Sequence, residues 1–327
     1  MYDKGGAFSC WLLFHMRGGG EMETAIIGGG ALGLLWGARL ARAGFPVTMI
    51  VRTQSQAATI KKMGITVQSL SSGEWTVPAE ACASSSLPAG KADSVFVMVK
   101  QMDLPAVTPL IAALAHEETQ VLFWQNGWGH GEIVKKLSAQ ACTYLAVTTE
   151  GALRLGVNQV AHTGNGETWV GPYPDSRREP HPALERLWQL EQKIAWDPDI
   201  LVRIWEKLAV NCVINPLTAL EDVPNGEVGH PRFEQMKRAI IEETVRVARA
   251  EGVRLDPAAV KERVERVIRL TARNHSSMLQ DIKRGRKTEI AHINGAVAEL
   301  GAKWGIPTPV NAELMRRVQD KEAQIGC

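Results

Sequence analysis

Between Thr24 and Val51 the chain runs from an apolar stretch, Thr24-Ala25-Ile26-Ile27, through Gly28-Gly29-Gly30-Ala31-Leu32-Gly33 into a helical pattern carried by Leu34, Leu35, Ala38, Leu40 and Ala41. Gly44 ends that pattern, and a second apolar run, Val47-Thr48-Met49-Ile50-Val51, follows at once. Strand, tight turn, helix and strand in so short a span demand a parallel sheet with helical crossovers. Gly28, Gly30 and Gly33 have the spacing at which backbone N–H groups and a helix N-terminus approach a pyrophosphate. Glycines so spaced can also serve a turn alone; the flanking strand and helix favour a dinucleotide.

Arg52 stands at the end of the second strand, where a chain reading the ribose of NAD would carry a carboxylate. A guanidinium there matches a 2′-phosphate bidentately and points to NADP; a solvated loop arginine is the plain alternative. Two further apolar strands, Asp93 to Val99 and Gln120 to Trp124, deliver Lys100 and Gln125-Asn126-Gly127 to their carboxyl ends. Ligands of open α/β sheets sit off those ends, so Lys100 and Asn126 are placed to touch cofactor or substrate, although Asn126-Gly127 is also an ordinary turn sequence. Tyr144 to Val147 is another strand, ending in Thr148-Thr149-Glu150-Gly151-Ala152. Val160 to His162 and Thr168 to Gly171 flank Asn165-Gly166, which predicts a β-hairpin with its turn there and makes His162 a sheet residue rather than a catalyst. After a Pro-rich loop a helix is expected near Ala183 to Ile194.

From Trp196-Asp197-Pro198-Asp199 onward the alternation stops and the period is helical: Phe233 to Ala250, Pro257 to about Thr271, a turn near Ser277 to Lys283, Thr288 to Trp304, and Pro309 to Ala323. Thr308-Pro309 has the form of an N-cap with proline at the first helical position. The segment Glu206 to Pro216 opens this half and is apolar on every helical side except at Lys207, Asn211 and Asn215. Steps of four drift only about 40° around a helix, so these three form one stripe of amine, amide and amide, with Pro216 expected to close the segment. Each such group costs roughly 1–3 kcal/mol if buried without a partner. Either a structural polar network meets them, with Lys207 snorkelling out, or a ligand does. Ser277 and Asp281 share a face of one turn, and Glu289 follows the cap candidate Thr288, where the helix dipole alone accounts for a carboxylate. Lys283, Arg284, Arg286 and Lys287 read as a solvated surface.

The fold expected is α/β: an N-terminal Rossmann-type dinucleotide-binding domain over residues 22–198, then an all-helical domain over 199–327. Residues 1–21 are expected to be a disordered extension. Lys plus Arg number 37 against 35 acidic residues, so no overall field favours nucleic acid or an anionic membrane. No apolar run reaches the 18 or so residues that span a bilayer, which excludes an integral membrane protein of that kind. The five cysteines are scattered without metal-ligand spacing, so no metal is expected and they read as free thiols of a cytoplasmic protein.

The glycine start, Arg52, Gln125-Asn126-Gly127, Trp205 to Ala219, Pro224-Asn225-Gly226-Glu227, Ser276-Ser277-Met278-Leu279-Gln280-Asp281 and Thr288-Glu289-Ile290 together resemble the ketopantoate reductase (2-dehydropantoate 2-reductase) family. The resemblance runs from about Met22 to the C-terminus, and its segments 205–219 and 276–289 are far more specific than the glycine loop. It implies an NADPH-dependent oxidoreductase that reduces a small 2-keto acid, ketopantoate, at its C2 carbonyl, giving pantoate for pantothenate and coenzyme A. It implies Lys207 as proton donor, and Asn211, Asn215, Asn225, Ser277, Asn126 and Lys207 as substrate contacts. It implies Gly28, Gly29, Gly30, Ala31, Leu32, Gly33, Arg52, Lys100, Asn126, Ala152 and Glu289 as contacts to NADPH. The chain departs from the family pattern at Glu150-Gly151, where many relatives carry His-Ala, which bears on Ala152. A homodimer is left open. Two rivals stand beside this reading: a paralogue reducing another 2-keto acid, and a dinucleotide sensor without chemistry, for which a lysine in the cleft has no use.

Overall fold

β1 (Met22–Ile27) lies inside an eight-stranded sheet because it is apolar on both faces, with Ala25, Ile26 and Ile27 buried. The computed structural model describes residues 22–69, 72–173, 184, 187, 190 and 193–326; the expected extension 1–21 lies outside them. The chain continues through α1 (Ala31–Arg42), β2 (Val47–Val51), α2 (Gln54–Met63), β3 (Ile65–Ser69), β4 (Gly73–Val77), β5 (Glu80–Ala83), β6 (Ala92–Val97) and α3 (Leu104–Leu114). Then come β7 (Gln120–Phe123), α4 (Gly131–Leu137), β8 (Cys142–Thr148), β9 (Gly151–Arg154), β10 (Gln159–Gly164), β11 (Glu167–Pro172) and β12 (Lys193–Trp196). The large sheet has the order β12-β11-β8-β7-β6-β1-β2-β5, parallel throughout except between β8 and β11. The order reverses between β2 and β6 on either side of β1, the switch point at which open α/β sheets bind ligands.

A smaller sheet, β4-β3-β10-β9, which the sequence patterns did not suggest, packs on α1. It also corrects the expected hairpin at Asn165-Gly166. β10 pairs with β9 and β11 pairs with β8, both antiparallel, so β8–β9 and β10–β11 form one long bent ladder whose turn is at residues 155–158. Asn165-Gly166 and Thr149-Glu150 are the paired points where both strands pass from one sheet to the other. The helix expected near Ala183 to Ile194 falls largely outside the described residues, and its end is instead strand: Lys193–Trp196 runs parallel to β11.

The remainder is helical: α5 (Ile200–Glu221), α6 (Glu234–Ala250), α7 (Pro257–Leu270), α8 (Ser277–Lys283), α9 (Asn294–Lys303) and α10 (Pro309–Gln324), joined by short 3-10 turns. α5 is the central rod, packed by α6, α7, α8 and α10 and resting on β8 and β11. Pro216 does not close it. The helix continues to Glu221, and the Cys212 carbonyl that loses its backbone donor at Pro216 accepts from Asn294 Nδ2 at 3.0 Å. The expected helix Thr288 to Trp304 is broken at Ile293, because the His292 carbonyl is drawn out of the ladder by the Trp128 N–H at 2.8 Å. Thr308 makes no side-chain cap on α10; Glu243 receives the Val310 and Asn311 N–H groups instead, each at 3.0 Å. Among the described residues no helix is long and apolar enough to cross a membrane.

Candidate active site

The glycine turn joins β1 to α1 with almost no clearance. Gly28 has φ 125°, and a Cβ there would sit 2.8 Å from the carbonyl carbon of Met98, the residue just past neighbouring β6, so only glycine fits. A Cβ on Gly30 would meet nothing within 4 Å, which leaves the face above the loop open. α1 begins there with no side-chain cap and no acidic residue in its first turn. Its leading N–H groups and the positive end of its dipole are thereby available to an anion, and the loop Gly28 to Gly33 fits a dinucleotide pyrophosphate.

Arg52 extends from the end of β2 with its side chain 77% exposed, one guanidinium nitrogen donating to Asp103 at 2.9 Å. An exposed pair of this kind is worth about 0–1 kcal/mol, so it presents little competition to a doubly charged phosphate.

On the other side of the sheet ends, Lys207 reaches out of α5. Its ammonium donates to Asn126 Oδ1 at 2.7 Å and to the Thr148 carbonyl at 2.8 Å. Burial lowers its pKa to about 8, against a raising influence from the Glu289 charge. Glu289 moves the other way: burial raises its pKa, opposed by the nearby Lys100 charge, the Gln101 N–H and the amide of Asn126. Lys100 itself pairs with Asp281 of α8 at 2.7 Å, linking the end of β6 to the helical half.

Asn126 is held in place from two directions. Gln125 Nε2 donates to the Val97 and Val99 carbonyls at 2.9 and 3.1 Å. Gly127, at φ 80°, lets the loop press on the Ile290–His292 turn; a Cβ there would lie 2.2 Å from the His292 carbonyl oxygen. The contact that breaks the helix at Ile293 is therefore the contact that brings Asn126 beside Glu289.

A cavity of about 1440 Å³ opens beside this network, between the small sheet and α1 on one side and α5 and α7 on the other. Lys207 and Asn211 line it, as do Trp75, Glu150, His162 and Trp169. Asn215, Asn225 and Ser277 do not line it, and neither do Asn126, Lys100, Glu289, Arg52 or the glycine loop. Asn215 is buried on the next turn of the stripe; Asn225 donates to Thr271 Oγ1 at 2.9 Å, and its own Oδ1 is buried with no partner among the described residues. Ser277 is exposed at the start of α8, while its neighbour Ser276 caps that helix and bonds Thr218. Ala152 lies in β9 opposite His162, one residue past the cavity wall at Gly151. His162 is a buried sheet residue whose pKa is lowered by burial and by Arg39, against raising influences from Glu150 and a hydrogen bond to the Gly164 backbone, a balance that favours the neutral ring.

The structure thus gathers Lys207, Asn126, Glu289 and Lys100 into one network, of which Lys207 alone lines the cavity; Asn215, Asn225 and Ser277 belong to neither. Two features escaped sequence reasoning. The Thr148 carbonyl is backbone and carries no residue signature. The other is a buried ion pair between Arg39 and Glu150, at 2.6 Å, whose signal was a charged residue in the apolar pattern of α1.

The profiles described as "Ketopantoate reductase PanE/ApbA" and "Ketopantoate reductase PanE/ApbA C terminal" match residues 24–175 and 199–322. The chain is 36% identical to the 2-dehydropantoate 2-reductase of Archaeoglobus fulgidus over 304 residues, covering 92% of this chain and 98% of that one. With the Vibrio cholerae enzyme of the same name it shares 33% identity over 301 residues, again 92% of this chain and 98% of the other. Among solved structures, a probable 2-dehydropantoate 2-reductase from Bacillus subtilis superposes with a TM-score of 0.80 at 30% identity, covering 91% of this chain and 99% of that one. A D-mandelate dehydrogenase bound to NADH and anilino(oxo)acetate superposes at 0.87 with 28% identity, covering 93% and 99%. With the paired profiles spanning the sheet and helical parts alike, the chain belongs to the ketopantoate reductase family.

Proposed function

We propose that this chain reduces 2-dehydropantoate to (R)-pantoate with NADPH, with Lys207 as the proton donor, in the cytoplasm. The observation that carries the reading is the Lys207 ammonium, oriented by Asn126 and Thr148 and lining a cavity large enough for a 2-oxo acid. Two of its three protons are engaged, leaving the third for a ligand oxygen. Bound NADPH supplies the hydride to the C2 carbonyl carbon. Lys207 then gives a proton to the developing alkoxide, and solvent reprotonates the amine; a positioned ammonium also stabilises the negative charge as it forms. Asn211 offers a further polar contact in the cavity; Asn215, Asn225 and Ser277 are assigned to the substrate on family resemblance alone. Glycines 28, 29, 30 and 33 with Ala31 and Leu32 hold the pyrophosphate, Arg52 the 2′-phosphate, and Lys100, Asn126, Ala152 and Glu289 the remainder of the cofactor.

A second reading has a specific observation behind it. The cavity is far larger than a branched aliphatic 2-oxo acid fills and is flanked by Trp75 and Trp169, which suits an aryl 2-oxo acid of the kind bound by the D-mandelate dehydrogenase neighbour. Steady-state NADPH oxidation with 2-dehydropantoate, phenylglyoxylate and other 2-oxo acids separates the two. Preference for 2-dehydropantoate is expected; turnover of the aryl acid alone transfers the assignment to the second reading, and no turnover of any acid removes both.

A further inference from the structure

Arg39 and Glu150 form an ion pair that the proton-donor chemistry does not itself require. Arg39 lies on the third turn of α1, the helix that starts at the glycine loop, and Glu150 lies two residues after Thr148. Nη1 of Arg39 donates to both carboxylate oxygens, at 2.6 and 2.7 Å, and Nη2 lies 3.3 Å from His162 Nε2, which as a neutral ring nitrogen accepts. The side chains of Arg39 and Glu150 are only 8% and 3% exposed. A buried ion pair contributes little net stability relative to apolar residues of the same size, but here one guanidinium nitrogen reaches both carboxylate oxygens and the other nitrogen faces His162, which ties β9's start to α1.

The geometry it fixes is next to Lys207. β8 leaves the large sheet at Thr148, and the carbonyl of that residue is one of the two acceptors of the Lys207 ammonium. The backbone N–H of Glu150 donates to Thr148 Oγ1 at 3.2 Å, and Thr168 donates to the same oxygen at 2.9 Å. β11 secures the segment from one side; the Arg39–Glu150 pair secures it from the other, against the helix that carries the cofactor loop.

We propose that Arg39 and Glu150 are positioning residues for the proton donor: their ion pair holds the Thr148 carbonyl, and through it the Lys207 ammonium, in register with the glycine loop of α1. The proposal rests on Lys207 being the donor. It also gives a reason for the carboxylate at 150, which meets the arginine facing it from α1.

Arg39→Met/Glu150→Gln tests it, because the double variant keeps the side-chain volumes and buries no unpaired charge. A donor displaced by a fraction of an ångström affects the transition state rather than binding. The expected result is a kcat lowered about tenfold or more, with the KM values for NADPH and the 2-oxo acid within about threefold of wild type. Because Arg39 and Glu150 also line the cavity, a raised KM for the 2-oxo acid with wild-type kcat would make them substrate contacts and overturn the positioning role. If the double variant does not fold, Glu150→Asp, which keeps the charge and draws the carboxylate back by one methylene, is expected to lower kcat about three- to tenfold with both KM values unchanged. A folded double variant or a folded Glu150→Asp with wild-type kcat overturns the proposal, provided Lys207→Ala is inactive in the same assay. Wild-type kcat in Lys207→Ala would instead remove the donor reading itself.

Discussion

Lys207 donates to Asn126 Oδ1 at 2.7 Å, and the amide of Asn126 faces Glu289 and favours its charged form, so one asparagine stands between an ammonium and a buried carboxyl group. Burial works on the two ends in opposite senses, lowering the lysine to about 8 and raising the glutamate. Both shifts favour the uncharged form, and the asparagine is the polar neighbour the two groups share, beside the Thr148 carbonyl for the lysine and the Gln101 N–H for the glutamate.

A pH dependence follows with a definite sign. The proton donor is the ammonium, which is populated below its pKa and lost above it. The pKa is lowered from the usual lysine value to about 8, so activity is present on the acid side and declines as pH rises through about 8. The profile of kcat/KM reports the free enzyme and is the quantity to measure. A profile flat to about pH 10 would mean that no group with the lowered pKa controls the step.

Cofactor choice should depend on Arg52. Its replacement by alanine removes a charge-assisted contact to the 2′-phosphate worth roughly 1.5–3 kcal/mol, so the NADPH to NADH ratio of kcat/KM should fall about tenfold or more. Because the Arg52–Asp103 pair is exposed, the melting temperature should barely move. An unchanged ratio would show that another residue reads the phosphate.

Asn294 has a structural task that a denaturant melt can measure. It is fully buried, donates to the Cys212 carbonyl at 3.0 Å and to Asn311 Oδ1 at 2.9 Å, and so serves the acceptor that Pro216 leaves without a backbone donor. Asn294→Ala should lower the unfolding free energy by roughly 2–4 kcal/mol, since two buried acceptors each lose a partner. A loss below about 1 kcal/mol would mean that the helix closes around Pro216 without help.

The parts of this molecule legible in the sequence are those written in local patterns. Gly28 to Gly33 between an apolar run and a helical one gave the strand, turn and helix, and the four-residue spacing of Lys207, Asn211 and Asn215 gave the polar stripe of α5. What was not legible depends on distant chain. Asn165-Gly166 has turn chemistry, yet β11 is claimed by β8 in a different sheet from β10. Pro216 is a helix breaker by local rules, and only Asn294, far along the chain, makes it tolerable. Thr288 to Trp304 has one helical period, and only the approach of Trp128 divides it. The site divides the same way: Lys207 and Asn126 could be named as residues, but the carbonyl of Thr148 and the Arg39–Glu150 pair become visible only when β8 and α1 are brought together.

The most direct test of the account is Lys207→Ala, assayed for NADPH oxidation with 2-dehydropantoate while the NADPH dissociation constant and melting temperature are measured on the same preparation. If the ammonium delivers the proton, kcat falls by roughly 10²–10⁴ with NADPH binding near wild type. If Lys207 serves only to tie α5 to Asn126 and Thr148, the variant melts at a lower temperature but its folded fraction turns over at the wild-type rate. That second result would contradict the central claim.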